Sequence, residues 1–217
     1  MKFAIILSGC GVFDGTEIHE ATMTMLAIAK NGAEYDIFAP DVRQHHVINH
    51  LKGEEMDEQR NVMVEAARIA RGKIKPLNEY NPEKYDALII PGGFGVAKNL
   101  CTYAFDGVDF SVDKVVEKVL KSTHSAGKPI GALCISPVLL AGVFGGIDVT
   151  IGKDKNTAVD IEKLGAVHIE TDPGEIVVDN ANRIVTTPAY MLDSGIEDIY
   201  DGADNLVKAI TEMVKKE

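Results

Sequence analysis

Short, wholly apolar runs recur along the chain, and stretches with helical spacing separate them. Phe3–Leu7 and Ala87–Ile90 are clear examples, and a third run precedes Cys134. A strand that is apolar at every position is buried on both faces, which is typical of a parallel sheet covered by helices on each side. This alternation restricts the fold more than any other feature, and it predicts an α/β domain.

The helices follow from apolar spacing and from end signals. One helix is predicted from about Glu17 to Lys30, and it ends where Asn31 and a glycine follow. The last helix is expected to begin at Ser194, with Glu197 completing a capping box. No linker or repeat divides the sequence, so we predict a single domain over residues 1–217, with a polar insertion at about 40–60.

Composition excludes several classes of protein. The 217 residues carry a formal net charge of −11, which is unsuited to nucleic acid because phosphates require Lys and Arg. No apolar run approaches the roughly 18 residues of a membrane span. The 3 cysteines lie far apart and form neither a disulfide framework nor a zinc pattern. We therefore expect a cytoplasmic protein with no nucleic-acid or membrane partner.

Cys134 lies where an apolar strand ends and a helix begins, and Pro137 suits the first turn of that helix. This arrangement resembles a nucleophile elbow, in which a sharp turn exposes the reactive atom at the edge of the sheet. The N-terminus of the helix is expected to lower the pKa of the thiol. The alternative is an inert cysteine buried in the core.

Two further loops could complete a site around this cysteine. Gly92 and Gly93 follow a buried strand, and their N–H groups can face an oxyanion, although a tight turn needs the same residues. Glu17 and Glu20 fall on one side of a first helical turn. A carboxyl group against Cys134 can donate a hydrogen bond to the sulfur or move its proton, but acids in a first turn also complement the helix dipole.

Long motifs give the chain a resemblance that covers nearly its whole length. The sequences SGCGVFDGTEIHEA, RNVMVEAARIARG, IIPGGFGVAKNL, LCISP and IVTTPAYM are similar to the ElbB family (enhancing lycopene biosynthesis protein) of the PfpI/ThiJ superfamily. The resemblance implies a flavodoxin-like parallel-sheet sandwich of the class I glutamine amidotransferase-like type. It also implies Cys134 as nucleophile, Glu20 as its carboxylic partner, Gly93 and Ile135 as the oxyanion hole, and a homodimer.

The chain departs from its better-known relatives where a histidine base is needed. Ile135 follows the cysteine where protease-like members carry histidine, and Gly152 stands where another branch places one. Ser136 and Val138 replace the Gly and Gln of the amidotransferase motif. His168 and Glu170 have the spacing of an amidotransferase pair, but they lie in a strand-like run, so we interpret the spacing as coincidental. The chain therefore lacks an obvious histidine base, on which peptide hydrolysis and glutaminase activity usually depend.

The remaining Cys and Glu suit a small, electrophilic dicarbonyl. Similar proteins in the superfamily are cofactor-independent glyoxalases, so the resemblance predicts a glyoxalase-type lyase that converts glyoxal or methylglyoxal to glycolate or lactate. Cys134 would form the hemithioacetal, and Glu20, helped by His19, would move the proton. Glu17 and Gly92 are further candidates for the pocket. We expect no cofactor and no metal ion.

Three alternatives stay open from the sequence. The strongest is a redox sensor or protein-interaction module in which Cys134 oxidises to a sulfinic acid. Dinucleotide binding is disfavoured, because the glycines after the first strand are spaced G-x-G-x-x-x-G instead of G-x-G-x-x-G. A metal site at His45, His46 and His50 lacks a completing ligand motif, so a polar surface loop is preferred. A link to isoprenoid synthesis would have to be indirect, because no aspartate-rich motif occurs.

Overall fold

A seven-stranded sheet forms the centre of the molecule, and helices cover both of its faces. The structure is a computed structural model, and it describes residues 1–216. The strands are β1 (Lys2–Ile6), β2 (Glu34–Ala39), β3 (Ile48–Asn49), β4 (Glu54–Glu55), β5 (Lys75–Pro76), β6 (Ala87–Ile90), β7 (Ile130–Leu133), β8 (Asp148–Val149), β9 (Val167–His168), β10 (Val177–Asp179) and β11 (Ile184–Thr187). The helices are α1 (Ile18–Lys30), α2 (Val62–Ile69), α3 (Tyr103–Asp106), α4 (Lys114–Ser125), α5 (Ser136–Phe144), α6 (Lys155–Lys163) and α7 (Ile196–Lys215).

The main sheet has the order β10-β11-β7-β6-β1-β2-β5. Its pairings are parallel, except that β10 runs antiparallel to β11 at one edge. Strands β3 and β4 form a separate hairpin, and β8 pairs with β9 in a second small sheet. Parallel strands end at the same edge of a sheet, so the loops after β1, β6, β7 and β11 meet there.

The apolar runs are buried because both faces of the sheet are covered. Ile6 and Ile90 lie in the cluster that contains side chains of α4, α5 and α6. Ile5 and Ile89, each one position away, lie in the opposite cluster with side chains of α1, α2 and α7. Alternating side chains thus reach two different cores, which confirms the predicted α/β sheet.

Element boundaries agree with the sequence where the pattern is strong. β6 has the predicted bounds, and α1 begins one residue later than expected because Glu17 is its N-cap. The prediction of a capping box that begins at Ser194 is wrong. The helix is capped at Gly195, whose N–H donates to Asp198 Oδ2 at 2.8 Å, while Ser194 Oγ donates to a backbone carbonyl.

Helix α6 was not predicted, because its apolar pattern is weak. Of its nine residues, only Thr157 and Ile161 are buried, and Val159 is exposed. Asp154 caps this helix and accepts a hydrogen bond from the N–H of Thr157 at 2.8 Å. A short helix with one apolar anchor gives little periodic signal.

The segment predicted as an insertion leads from β2 to α2 and contains the β3–β4 hairpin. The hairpin is fastened to the loop after β1. Ile48 N donates to Asp14 Oδ2 at 2.6 Å, and Phe13 N donates to His50 Nε2 at 3.2 Å. No helix among residues 1–216 is long and apolar enough to cross a membrane.

Gly131 allows α7 to approach the middle of β7 closely. A Cβ atom at this position would lie 2.7 Å from Leu206 Cδ2 and 3.0 Å from Ile210 Cδ1. We expect Gly131→Val to lower the free energy of unfolding by about 1–3 kcal/mol, because it overfills this layer. Leu206→Ala alone should cost about 2–5 kcal/mol by leaving a cavity.

Urea unfolding of the two single variants and the double variant measures their coupling. Leu206→Ala makes room for the new valine, so the double variant should lose less stability than the sum of the single losses. Strict additivity would contradict the close packing of Gly131 under α7.

Candidate active site

Cys134 occupies a strained turn between β7 and α5. Its φ angle is +60°, which non-glycine residues rarely adopt. The N–H of Cys134 donates to Thr187 O at 3.0 Å, so the turn is held by the end of the neighbouring strand β11. Ile135 is the N-cap of α5, and Pro137 lies in its first turn. This is the geometry of a nucleophile elbow.

Glu20 is buried against this cysteine. The residue lies in the first turn of α1 and is 0% exposed. Its carboxyl group lies beside the Cys134 side chain, and the interaction between the two acts on the pKa of both groups. Gly92 N donates to Glu20 Oε2 at 2.8 Å, and Tyr190 N approaches Glu20 Oε1 at 3.4 Å. Loops from three strands therefore converge on one carboxyl group.

The two glycines after β6 have different roles. A Cβ atom at Gly92 would overlap Cys134 Cβ and lie 2.7 Å from Glu20 Oε2, so this position admits only glycine. Because the N–H of Gly92 is bound to Glu20, the expectation that it faces an oxyanion is wrong. The N–H groups of Gly93 and Ile135 instead lie beside the sulfur of Cys134, where both act to lower its pKa. Two N–H groups placed in this way are suited to stabilise an oxyanion.

Glu17 is the N-cap of α1, and its side chain is used there and not at the sulfur of Cys134. Glu17 Oε2 accepts a hydrogen bond from Glu20 N at 2.7 Å, and Glu17 N donates to Gly92 O at 3.0 Å. The residue therefore fastens the start of α1 to the loop after β6. Its negative charge adds to the field at Glu20.

Burial dominates the ionisation of the pair. Desolvation, and then repulsion by Glu17, raise the pKa of Glu20 to about 8, so this carboxyl is mostly protonated at neutral pH. Burial also raises the pKa of Cys134 well above that of an ordinary thiol, and an ionised Glu20 raises it further. Hydrogen bonds from Gly93 and Ile135 act in the opposite direction but are weaker. The expectation of a lowered thiol pKa is therefore wrong, because burial outweighs the helix N-terminus.

A cavity of about 330 Å³ opens onto Cys134. Its walls are largely apolar and aromatic, and they include Val12, Phe94, Tyr103, Tyr190 and Met191. Cys134, Gly93 and Ile135 are among the lining residues, and Asp154 and Thr157 add polar groups. A pocket with apolar walls and a few polar groups is typical of a small-molecule site.

A larger cavity of about 490 Å³ lies beside β2 and the end of α2. Met25, Asp36 and Arg71 are among its lining residues, and neither Cys134 nor Glu20 is. We place the candidate site at the smaller cavity, because Cys134 lines it, and because the carboxyl group of Glu20 and the N–H groups of Gly93 and Ile135 lie beside that cysteine.

His19 lies beside the site without touching the reactive pair. The ring of His19 is half exposed, and its Nδ1 lies 2.8 Å from the hydroxyl of Tyr190. Tyr190 lines the cavity, so the ring of His19 reaches the site through this tyrosine, and its Nδ1 also lies 4.0 Å from Glu17 Oε1. Sequence reasoning assigned no role to Tyr190, because only the fold brings the loop after β11 to the start of α1.

The histidines considered as alternatives lie elsewhere. His168, on β9, accepts a hydrogen bond from Ile151 N at 3.4 Å and does not line the cavity. A Cβ atom at Gly152 would lie 2.8 Å from Leu192 Cδ2, so a histidine cannot be accommodated there without repacking. The rings of His45 and His46 pack against Phe105, the second in an edge-to-face arrangement. Within residues 1–216, no three His, Cys, Asp or Glu side chains converge as metal ligands.

The other two cysteines do not contribute to the cavity. Cys101 is buried and its thiol donates to Val96 O at 3.3 Å, and burial raises its pKa to about 12. Cys10 is half-buried in the loop after β1, where desolvation raises its pKa. Asp154 and Thr157 are lining residues that sequence reasoning missed, because they belong to the helix that it did not predict.

The fold and the elbow cysteine together define a class I glutamine amidotransferase-like domain. A model of the DJ-1/PfpI family matches residues 10–193. The chain therefore belongs to the DJ-1/PfpI family.

Individual relatives place the chain more narrowly within that family. It is 49% identical over 225 residues to the human glutamine amidotransferase-like class 1 domain-containing protein 3, mitochondrial, covering 99% of this chain and 84% of the relative. The crystal structure of an isoprenoid biosynthesis protein with amidotransferase-like domain from Ehrlichia chaffeensis has a TM-score of 0.92 at 36% identity, covering 98% of this chain and 99% of the other. This likeness agrees with the ElbB resemblance.

A more distant structure shares the fold alone. Glyoxalase III from Candida albicans superposes with a TM-score of 0.59 at 17% identity, and the match covers 98% of this chain and 97% of the other.

The raised pKa of Glu20 makes stability depend on pH. In the unfolded chain Glu20 ionises near its ordinary 4.5, whereas in the folded protein it keeps its proton until about 8. The folded state thus binds more protons between these values, so this residue makes stability fall as pH rises, by up to about 1.4 kcal/mol per pH unit. Glu20→Gln should remove this contribution.

Urea unfolding across that pH window tests the assignment. The difference in unfolding free energy between Glu20→Gln and the wild type should grow in favour of the variant until about pH 8, and then level off. Glu162→Gln, which removes an exposed carboxyl group on α6, should run parallel to the wild type. Parallel curves for Glu20→Gln as well would contradict the retained proton.

Proposed function

We propose that the protein is a cofactor-independent glyoxalase-type lyase that converts glyoxal to glycolate and methylglyoxal to lactate. The observation that carries this proposal is the contact between Cys134 and the buried carboxyl group of Glu20, beside the N–H groups of Gly93 and Ile135. The site holds a nucleophile, a group that exchanges protons near neutral pH, and two donors for an oxyanion. An electrophilic dicarbonyl requires no further activation.

The first step forms a carbon–sulfur bond. Ionised Glu20 accepts the thiol proton while the sulfur attacks one aldehyde carbon, and the carbonyl oxygen becomes an oxyanion that the N–H groups of Gly93 and Ile135 stabilise. Protonation of this oxygen gives the hemithioacetal. Because the resting sulfur is a buried thiol, negative charge passes from Glu20 to the substrate oxygen without leaving a lasting thiolate.

The second step moves hydrogen between the two substrate carbons. Glu20 removes the proton from the carbon bound to sulfur and passes it to the second carbonyl oxygen, which gives an enediol. The hydroxyl proton on the sulfur-bound carbon then moves through Glu20 to the neighbouring carbon, and the oxygen it leaves becomes the thioester carbonyl. The product is a thioester of glycolate on Cys134. Water then cleaves the thioester, which releases glycolate and restores the thiol. The overall reaction converts glyoxal and water to glycolate and one proton, and it needs no external oxidant.

Tyr190 and His19 support this scheme from the mouth of the cavity. Burial raises the pKa of Tyr190, so its hydroxyl keeps its proton and can hydrogen-bond to the second carbonyl of the substrate. His19 holds that hydroxyl through Nδ1. His19 thus positions Tyr190 and does not itself touch the reacting atoms.

A second candidate function uses the same contact. Peroxide could oxidise Cys134 to a sulfinic acid, consuming two equivalents of peroxide and releasing two of water, and a protonated Glu20 would hydrogen-bond to that product. Stoichiometric oxidation without multiple turnovers distinguishes such a sensor from an enzyme.

The assembly and the compartment belong to this proposal as well. We propose a homodimer, which sedimentation equilibrium tests directly. A free thiol at Cys134 requires a reducing compartment. Cytoplasm remains the prediction for this chain, and the mitochondrial location belongs to the name of its human relative.

Glycolate formation from glyoxal, followed by NMR, tests the lyase. We expect multiple turnovers from the wild type, and a loss of at least about 100-fold in kcat/KM for both Cys134→Ser and Glu20→Gln, because these variants lack the nucleophile and the base. Cys101→Ser is a matched control, since its thiol lies outside the cavity. Equal rates from the wild type and Cys134→Ser would refute the lyase.

The pH dependence tests the direction of proton transfer. Only ionised Glu20 can accept the thiol proton, so kcat/KM for methylglyoxal should rise with pH and level off above about 8. Stopped-flow measurement of lactate release across this range gives the profile. A rate that falls as pH rises through the same range would show that protonated Glu20 is the active form.

A further inference from the structure

The cavity is much larger than the dicarbonyl that would react there. We infer that the preferred substrate is an α-oxoaldehyde with an apolar or aromatic substituent that ends in a cationic group, and that Asp154 binds that group. This inference rests on the proposed function, because it names the substrate class of the same site. It makes Asp154 a specificity-determining residue.

Volume is the first observation. The cavity measures about 330 Å³, which lies within the range of about 300–1,000 Å³ typical of pockets for drug-sized ligands. Glyoxal has four non-hydrogen atoms, and one water occupies about 30 Å³ of liquid. A dicarbonyl alone would leave most of this space to solvent, so a substituent is needed to fill it.

The walls indicate the nature of that substituent. Phe94, Tyr103 and Met191 line the cavity, and Phe94 is 49% exposed. The hydroxyl of Tyr103 already donates to Asp160 Oδ2 at 2.9 Å, so this ring offers the cavity mainly its apolar surface. Apolar and aromatic groups bind to such walls by removing apolar area from water.

The charge of the cavity lining indicates which group the substituent ends in. Asp154 is the acidic residue of the lining, and no Lys or Arg lines this cavity in the described chain. The carboxylate caps α6, where Thr157 N donates to its Oδ1 at 2.8 Å, and this bond keeps the pKa of Asp154 low. The side chain of Thr157 and the backbone of Asn156 also interact with this carboxylate. A carboxylate has about four acceptor positions, so it can still accept a hydrogen bond from a ligand. A carboxylate or phosphate at this position would be repelled.

The neighbouring cations do not neutralise Asp154 inside the cavity. Lys98 donates to Phe13 O at 2.8 Å and lies over the ring of Phe94, so it is directed to the loop after β1. Lys153 pairs with Asp172. Lys155 is exposed and does not line the cavity. The lining therefore carries a negative charge at Asp154.

The test compares phenylglyoxals with a para-trimethylammonium or a para-carboxylate group. The wild type should prefer the cation over the anion in kcat/KM, and Asp154→Asn should reduce this cation-to-anion ratio at least about threefold, as expected for one partly exposed charge. Asparagine also caps helices well, so α6 should stay intact. Because the substituents also change aldehyde reactivity, the ratio is compared between proteins and not taken alone.

Glu162→Gln is the matched control, because it removes an exposed negative charge from the same helix outside the cavity. Its ratio should equal that of the wild type. An unchanged ratio in Asp154→Asn, or an equal change in Glu162→Gln, overturns the inference while turnover of phenylglyoxal still supports the lyase.

A second readout needs no turnover of aldehyde. Methanethiosulfonates with trimethylammonium-ethyl or sulfonato-ethyl groups react with a thiol to give a mixed disulfide and methanesulfinate, and mass spectrometry resolves the rate at Cys134. The cation-to-anion rate ratio should again fall at least about threefold in Asp154→Asn but not in Glu162→Gln. If this ratio falls but no aldehyde turns over, the charge preference stands and the lyase fails. A ratio unchanged here overturns the role of Asp154.

Discussion

The contact between the carboxyl group of Glu20 and the sulfur of Cys134 is the interaction on which the rest of the site depends. Two ionisable groups lie together out of water, so they cannot both carry charge. The protein lowers this cost by keeping a proton on Glu20 and by directing the N–H groups of Gly92 and Tyr190 at its oxygens. This arrangement yields a carboxyl group that changes its ionisation near neutral pH, as a proton carrier must.

The loops after β1 and β6 approach each other closely because glycines, which have no side chain, lie where the two loops cross. Gly95 N donates to Gly15 O at 2.9 Å, and a Cβ atom at Gly95 would lie within 2.5 Å of the Gly15 backbone. Gly93, with a φ angle of +97°, likewise lies against backbone atoms of the loop after β1. These crossings fix the N–H of Gly93 beside Cys134.

The lining of the cavity comes from two parts of the fold. Cys134, Gly93 and Ile135 belong to loops at the carboxyl edge of the parallel strands. Asp154 and Thr157 belong to the start of α6. Under the proposed function, a change in α6 would alter which substrate fits while leaving Cys134 and Glu20 in place, whereas Gly92 permits little change because a Cβ atom there would overlap Cys134.

The sequence by itself determined the α/β class, the elbow at Cys134 and the position of Glu20 in the first turn of α1. These features depend on local patterns: wholly apolar strands, a proline in the first turn of a helix, and an N-terminal acidic turn. The long motifs added the family, which the comparisons confirm.

Only the tertiary structure decided the ionisation of Cys134, the bonding of Gly92, and the parts played by Tyr190 and Asp154. A helix N-terminus lowers the pKa of a thiol in isolation, but burial beside a carboxyl group reverses the direction, and burial is a property of the whole fold. Helix α6 buries only two of its residues, so its sequence has no periodic apolar pattern from which a helix could be predicted. Glu20 and Tyr190 are 170 positions apart in the sequence, and the strand order of the sheet brings them together. No short stretch of sequence encodes that order.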